Sequence, residues 1–136
     1  MKNNLIQKII EIDASPDKVW RVFTDPVVTR QMGGEYVSDW KSGSSFGWKG
    51  ANGNMYTHGT ILQIETERLL QHQLFENDER KKILSVITYT FSDDHGRTIL
   101  GAREVLHNEM TDEQYQDTSD GWDIALAAIK KAAEDL

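Results

Sequence analysis

The sequence predicts an α+β fold in which a curved antiparallel sheet of about six or seven strands wraps one long C-terminal helix. Three observations carry that expectation. A β-branched opening segment runs straight into two short helical segments, the stretch 35–107 reads as strand after strand, and the chain closes on a long amphipathic run. Its 136 residues are enough for one domain, expected over 1–136, and too few for two of ordinary size.

Ile6 to Asp13 is rich in β-branched residues and reads as the first strand. It stops at Ala14-Ser15-Pro16, where Ser15 suits an N-cap and Pro16 suits the first helical position. The helix that follows carries Val19, Trp20 and Phe23 on one side, with Asp17 near the positive end of its dipole. Asp25-Pro26 ends it and opens a second short helix, which Gly33-Gly34 stops after about Met32.

Tyr36-Val37-Ser38 and Ser45-Phe46-Gly47-Trp48 are strand text joined by the turn-rich Lys41-Ser42-Gly43-Ser44. Asn52-Gly53-Asn54 signals a turn before a strand expected from about Met55 to Glu65. With the next turn at Thr66-Glu67-Arg68, Ile64 faces Leu70, Leu62 faces His72 and Thr60 faces Leu74. Gln63, Gln71 and Gln73 then share the opposite face, as a half-buried hairpin requires. A polar loop is expected at 77–81. In the last hairpin, Ser92 to Gly96 forms the turn and places Phe91 by Thr98, Tyr89 by Leu100, Ile87 by Ala102 and Ser85 by Glu104. Thr111 and Gln114 make a capping box, after which Trp122, Leu126, Ile129 and Ala133 line one helical stripe.

Consecutive antiparallel strands must twist, and a long twisted meander curls. The closing helix is the element long enough to lie across the concave face, and apolar space is expected between the two. Composition excludes other classes of function. The chain has no cysteine, hence no disulfide, thiolate metal site or cysteine nucleophile. A net charge of −7 argues against nucleic-acid binding, which depends on excess cation. No apolar run approaches the ~20 residues of a membrane span and no signal-type segment opens the chain, so the expectation is a cytoplasmic protein without membrane insertion.

Ile10 to Trp20 (Ile-Glu-Ile-Asp-Ala-Ser-Pro-Asp-Lys-Val-Trp), followed by Asp25-Pro26, resembles the opening of the activator of heat-shock-protein-90 ATPase homologue family. Gly59 with Ile64 and Glu67-Arg68-Leu69-Leu70 is similar to the family's Gly-containing strand and its Pro-x-x-Leu turn. Gly96-Arg97-Thr98 resembles its Gly-x-Thr before the last strand, and Gly121-Trp122 its Gly-Trp at the terminal helix. The likeness spans about Ile6 to Leu136. It departs at Gln31-Met32, where the family often has a Trp-Trp pair, and at Glu65-Thr66, where the turn proline is missing. The resemblance implies the helix-grip fold of the START-like (SRPBCC) superfamily, shared with polyketide cyclases, aromatases and Bet v allergen-type proteins. It implies, in a stress or metabolic role, a binding domain for a small hydrophobic, aromatic or lipid-like molecule, without cofactor or catalytic residue. A co-chaperone-like interaction domain and a cyclase- or aromatase-like enzyme are the alternatives.

The expected pocket residues are Tyr36, Phe46, Trp48, His58, Leu62, His72, Leu74, Ile87, Tyr89, Leu100, Glu104, Trp122, Leu126 and Ile129. Tyr36, Trp48 and Tyr89 combine a large apolar body with a polar handle, which suits ligand contact. Trp122 is foremost a core residue. Glu104 opposite Ser85 would direct a carboxylate into the cavity, as a general acid or a hydrogen-bond anchor. His58 and His72 are read as polar residues at the pocket edge; with no cysteine and no His-Glu-x-x-His spacing, no metal is expected. His95 and His107 are expected in solvent. The outer apolar positions Leu84, Val86, Ile99 and Val105 leave monomer and homodimer both open, and a chaperone or other protein is the alternative partner.

Overall fold

The computed structural model describes residues 3–76 and 82–136. The polar loop expected at 77–81 lies outside the described residues. Strand β1 (Leu5–Ile12) is followed by helix α1 (Pro16–Thr24), helix α2 (Pro26–Thr29) and a 3-10 turn at Arg30–Met32. Six further strands come next: β2 (Gly34–Ser38), β3 (Ser45–Gly50), β4 (Gly59–Glu65), β5 (Leu69–Phe75), β6 (Ile83–Asp94) and β7 (Arg97–Leu106). Helix α3 (Asp112–Glu134) closes the chain. The seven strands form one antiparallel sheet in the order β1-β7-β6-β5-β4-β3-β2, so every neighbour but β1 is also its neighbour in sequence. This is the helix-grip arrangement.

The helix boundaries follow local chemistry. Pro16 opens α1, yet the Ser15 hydroxyl donates to the Asp17 carboxylate instead of capping the backbone. Asp25 does cap α2, its side chain accepting from Val27 N at 3.0 Å. The Thr111–Gln114 capping box is formed in both directions, and α3 runs unbroken from it through Gly121. Its apolar stripe, Trp122, Leu126, Ile129 and Ala133, is buried as the spacing predicts. Val19, Trp20, Val22 and Phe23 bury the inner face of α1.

Two hairpins correct the expected registers. In β4–β5, Ile64 does face Leu70, but a bulge at Leu62 lets Ile61 take the place opposite His72 and sets Thr60 against Gln73. Ile61 is therefore fully buried, and Leu62 is displaced from the inward row assigned to it. In β6–β7, the turn is only two residues long. His95 and Gly96 have φ of 54° and 86°, the left-handed pair that a tight hairpin needs. The strands extend to an Asp94–Arg97 pair, which sets Phe91 against Leu100, Tyr89 against Ala102 and Ile87 against Glu104. The shift is two residues, so the inward face is the expected one: Ser85, Ile87, Tyr89, Phe91, Leu100 and Ala102 are buried. Leu84 and Val105 stay exposed on the outer face. The strand expected from Met55 begins only at Gly59; Met55 makes an isolated bridge to Lys49.

Gly59 marks the closest approach within the sheet. A Cβ there would lie 2.1 Å from the Gln73 carbonyl oxygen, which is backbone and has no rotamer to change. Gly59→Ala is expected to cost about 1–3 kcal/mol by overpacking, measured as a lowered urea midpoint. An unchanged midpoint would mean that β4 and β5 separate here at no cost.

Candidate functional site: an aromatic array beneath the helix

The concave face of the sheet is lined with rings in mutual contact. Phe46 of β3 stacks on His72 of β5 with centroids 4.1 Å apart, and His72 lies 6.2 Å from Tyr89 of β6. Tyr89 reaches Trp122 of α3 at 5.8 Å and Phe23 of α1 at 4.7 Å. Tyr36 of β2 meets Phe46 at 5.0 Å and Trp48 at 4.8 Å, while Phe91 joins Trp20 and Phe23 edge-on. Offset and edge-to-face contacts of this kind add about 0.5–1.5 kcal/mol per pair beyond area burial. Ring contacts thus run across the face on which apolar space is expected. Among the described residues, five clefts without α3 in their lining include one of about 510 Å³ bounded by Arg30, Glu35, Lys49 and Asn52 and one that Phe46 borders.

Of the residues expected at a pocket, Phe46, His72, Ile87, Tyr89, Leu100, Trp122, Leu126 and Ile129 are buried on this face. Tyr36 and Leu74 pack against that core while half-buried, and Trp48 joins through Tyr36. Leu62 is displaced by the bulge. His58 is half-buried, precedes β4 and borders surface clefts with Met55, so it does not converge with the buried His72. Among the described residues no three His, Asp or Glu side chains gather as a metal site would require.

Glu104 is placed by two donors. Ser85 Oγ donates to its Oε2 at 2.8 Å and the Trp122 indole N–H donates to its Oε1 at 2.9 Å. Ser85 is not its direct cross-strand partner but meets it on the diagonal, two positions from the expected register. Each carboxylate oxygen is therefore engaged, which makes Glu104 a fixed acceptor that ties β6, β7 and α3 together. Burial pushes Tyr36 up to about 12, while burial and the neighbouring Tyr36 and Glu104 raise Tyr89 well above the usual phenol range. His72 differs from both. It is only 3% exposed, and its Nδ1 has no hydrogen-bond partner. Burial pulls the imidazole down to about 4, so it is neutral at ordinary pH.

Trp40 belongs to the array although nothing in its sequence context singled it out. Its ring meets Tyr36 at 6.3 Å and Phe46 at 5.9 Å, both edge-on, and its backbone is left-handed, φ 56°. For a bulky residue that conformation costs on the order of 1–3 kcal/mol. The available signal was a tryptophan two residues after a strand and before a Lys-Ser-Gly-Ser joint, where a turn needs no large side chain.

A family model described as Activator of Hsp90 ATPase homolog 1-like protein matches residues 13–134. The chain belongs to this family. Among solved structures it is similar to ChR145 from Cytophaga hutchinsonii, with 28% identity, 99% of this chain and 97% of that one covered, and a TM-score of 0.78. CalU16 from Micromonospora echinospora is 24% identical over 95% of this chain and 75% of that one, with a TM-score of 0.73. The Aha1 dimer from Colwellia psychrerythraea is 19% identical over 96% of each chain, with a TM-score of 0.76. The last two likenesses bear on the fold alone. No curated protein matches. The Aha1-like membership fits the START-like helix-grip architecture, and no helix among the described residues is long and apolar enough to cross a membrane.

Proposed function

We propose that the chain is a binding domain for a small, planar, largely apolar molecule held among the inward rings beneath α3, and that it binds without catalysing. The observation that carries this reading is His72 Nδ1, a buried polar atom left unpaired in an otherwise apolar aromatic setting. An unpaired buried nitrogen costs about 1–3 kcal/mol, and a ligand hydroxyl placed against it would recover that cost. A hydroxyl both donates and accepts, so it suits either tautomer of a neutral imidazole. The surrounding rings would supply apolar contact at about 25 cal/mol per Å² of ligand surface removed from water. Both oxygens of Glu104 accept from donors on β6 and α3, which supports a part in holding α3 on the sheet.

The test compares 2-naphthol with naphthalene, which has the same rings and no hydroxyl. At a hundredfold excess over Kd, 2-naphthol is expected to stabilise the protein by about 2.7 kcal/mol in a thermal-shift series. It should bind about tenfold more tightly than naphthalene, the worth of roughly one hydrogen bond, and His72→Phe should abolish that preference. Equal affinity of the two compounds for the unaltered protein would remove His72 from the site; no stabilisation by either would remove the site itself.

A second reading, a co-chaperone-like interaction domain, is favoured by the family's description as an activator of the Hsp90 ATPase. Capture of an Hsp90-type ATPase by the purified chain, with no response to either naphthalene compound, would put that reading first.

A further inference from the structure

One member of the aromatic array is held unlike the rest. Trp40 lies in the loop between β2 and β3, is half-buried against the core, and is left-handed at φ 56°. The other two non-glycine residues of positive φ, Glu67 and His95, sit in the tight turns of the β4–β5 and β6–β7 hairpins, where so short a connection calls for that geometry. The loop carrying Trp40 is longer and makes no such demand, so something else must hold the residue there.

Two sets of contacts do so. On the backbone side, Trp40 N donates to Ser38 Oγ at 3.0 Å, and the Ser38 and Ser44 hydroxyls share a hydrogen bond of 3.2 Å. Ser44 Oγ also donates to the Lys41 carbonyl at 2.8 Å, and the Ser44 carbonyl accepts from Ile61 N of β4 at 2.9 Å. On the ring side, the indole rests edge-on against Tyr36 and Phe46. Phe46 is the ring stacked on His72. Trp40, Phe46 and His72 thus form a succession of contacting rings that runs from the loop inward to the unpaired Nδ1.

We propose that the Trp40 indole occupies the outer seat of the ligand site, and that the ligand is a planar aromatic of at least indole size that takes this seat against Tyr36 and Phe46. Trp40 then turns into solvent and its backbone leaves the left-handed region. The exchange replaces one ring by another, so aromatic contact is kept while backbone strain is released. An acyl chain cannot restore the edge-to-face contacts, and the seat therefore selects flat aromatic molecules over lipids. This inference rests on the reading that the interior takes a ligand, and it adds which class enters and what must move.

The experiment follows the indole N–H resonance of Trp40, assigned by its loss in Trp40→Phe, in the unaltered protein with 2-naphthol or with laurate. Saturating 2-naphthol is expected to move that resonance to the position of a solvent-exposed indole and to abolish its cross-relaxation with Tyr36 and Phe46. Laurate is expected to leave both unchanged. Trp40→Gly, which tolerates the left-handed backbone and has no ring to displace, should bind 2-naphthol at least tenfold more tightly. Binding of 2-naphthol with the Trp40 contacts intact, or displacement by laurate to the same extent, would overturn the seat while leaving an interior ligand site standing. Binding by neither the unaltered protein nor Trp40→Gly would overturn both.

Discussion

Phe23→Ala is expected to lower the unfolding free energy by about 3–5 kcal/mol, the largest loss from any single truncation in the array. Phe23 is 2% exposed, and its ring contacts three others: Tyr89 at 4.7 Å, Phe91 at 5.6 Å and Tyr36 at 6.1 Å. Those partners come from β2 and β6, two strands separated in the sheet by β5, β4 and β3. A side chain of α1 thus bridges the two sides of the concavity. Removing it withdraws the transfer energy of a benzyl group and leaves a void that rings fixed in two separate strands cannot easily close. Equilibrium urea unfolding measures the loss. As a control, Ile9→Ala on the outer face, where Ile9 is 73% exposed, should change stability by no more than about 0.5 kcal/mol. A loss below about 1.5 kcal/mol for Phe23→Ala would mean that neighbouring rings move into the void, and hence that the interior rearranges readily.

Reading the sequence succeeded where the chemistry is local and periodic. Ser15-Pro16, Asp25-Pro26 and Thr111 with Gln114 mark helix starts through backbone geometry and capping, and the Trp122–Leu126–Ile129–Ala133 stripe follows from the helical repeat alone. Register was harder. Alternation in β4 gave the correct Ile64–Leu70 pair next to the turn and failed beyond Leu62, because a bulge adds a residue without any composition signal. Alternation in β6 and β7 fixed the inward face, while the pairing moved by two residues because the turn expected over Ser92 to Gly96 closes within His95 and Gly96 alone. The Glu104 site shows both sides of this. Its contact with Ser85 was legible as a cross-strand neighbour, but its second donor, the Trp122 indole, comes from a helix whose position over the sheet no local pattern specifies. Free volume was the least legible quantity. It depends on how rings from β2, β3, β5, β6 and α1 interleave, which no local pattern specifies.

Acidification should expose His72 as the weak point of the packed interior. Burial holds its imidazole at about 4, below the ordinary 6.5, so the unfolded chain takes up a proton first as pH falls. Stability from this group is fully present above about 6.5, is lost progressively between 6.5 and 4, and falls no further below 4, where both states are protonated. The full loss is on the order of 3 kcal/mol, from 1.36 kcal/mol per pH unit across that window. Carboxylates held low in the fold, Asp17 by the Ser15 hydroxyl and Glu134 by Lys130, also lose stability as pH drops, through windows ending below their own ordinary values. His72→Phe separates the effects, since it keeps a flat ring beside Phe46 and removes only the titrating group. Urea unfolding of both proteins from pH 7.5 to 4.5 should show the unaltered chain losing about 2–3 kcal/mol more than the variant, with most of the divergence below 6.5. Parallel curves would mean that the imidazole acquires a proton within the fold, and that its Nδ1 is reached by water or by a partner that moves towards it.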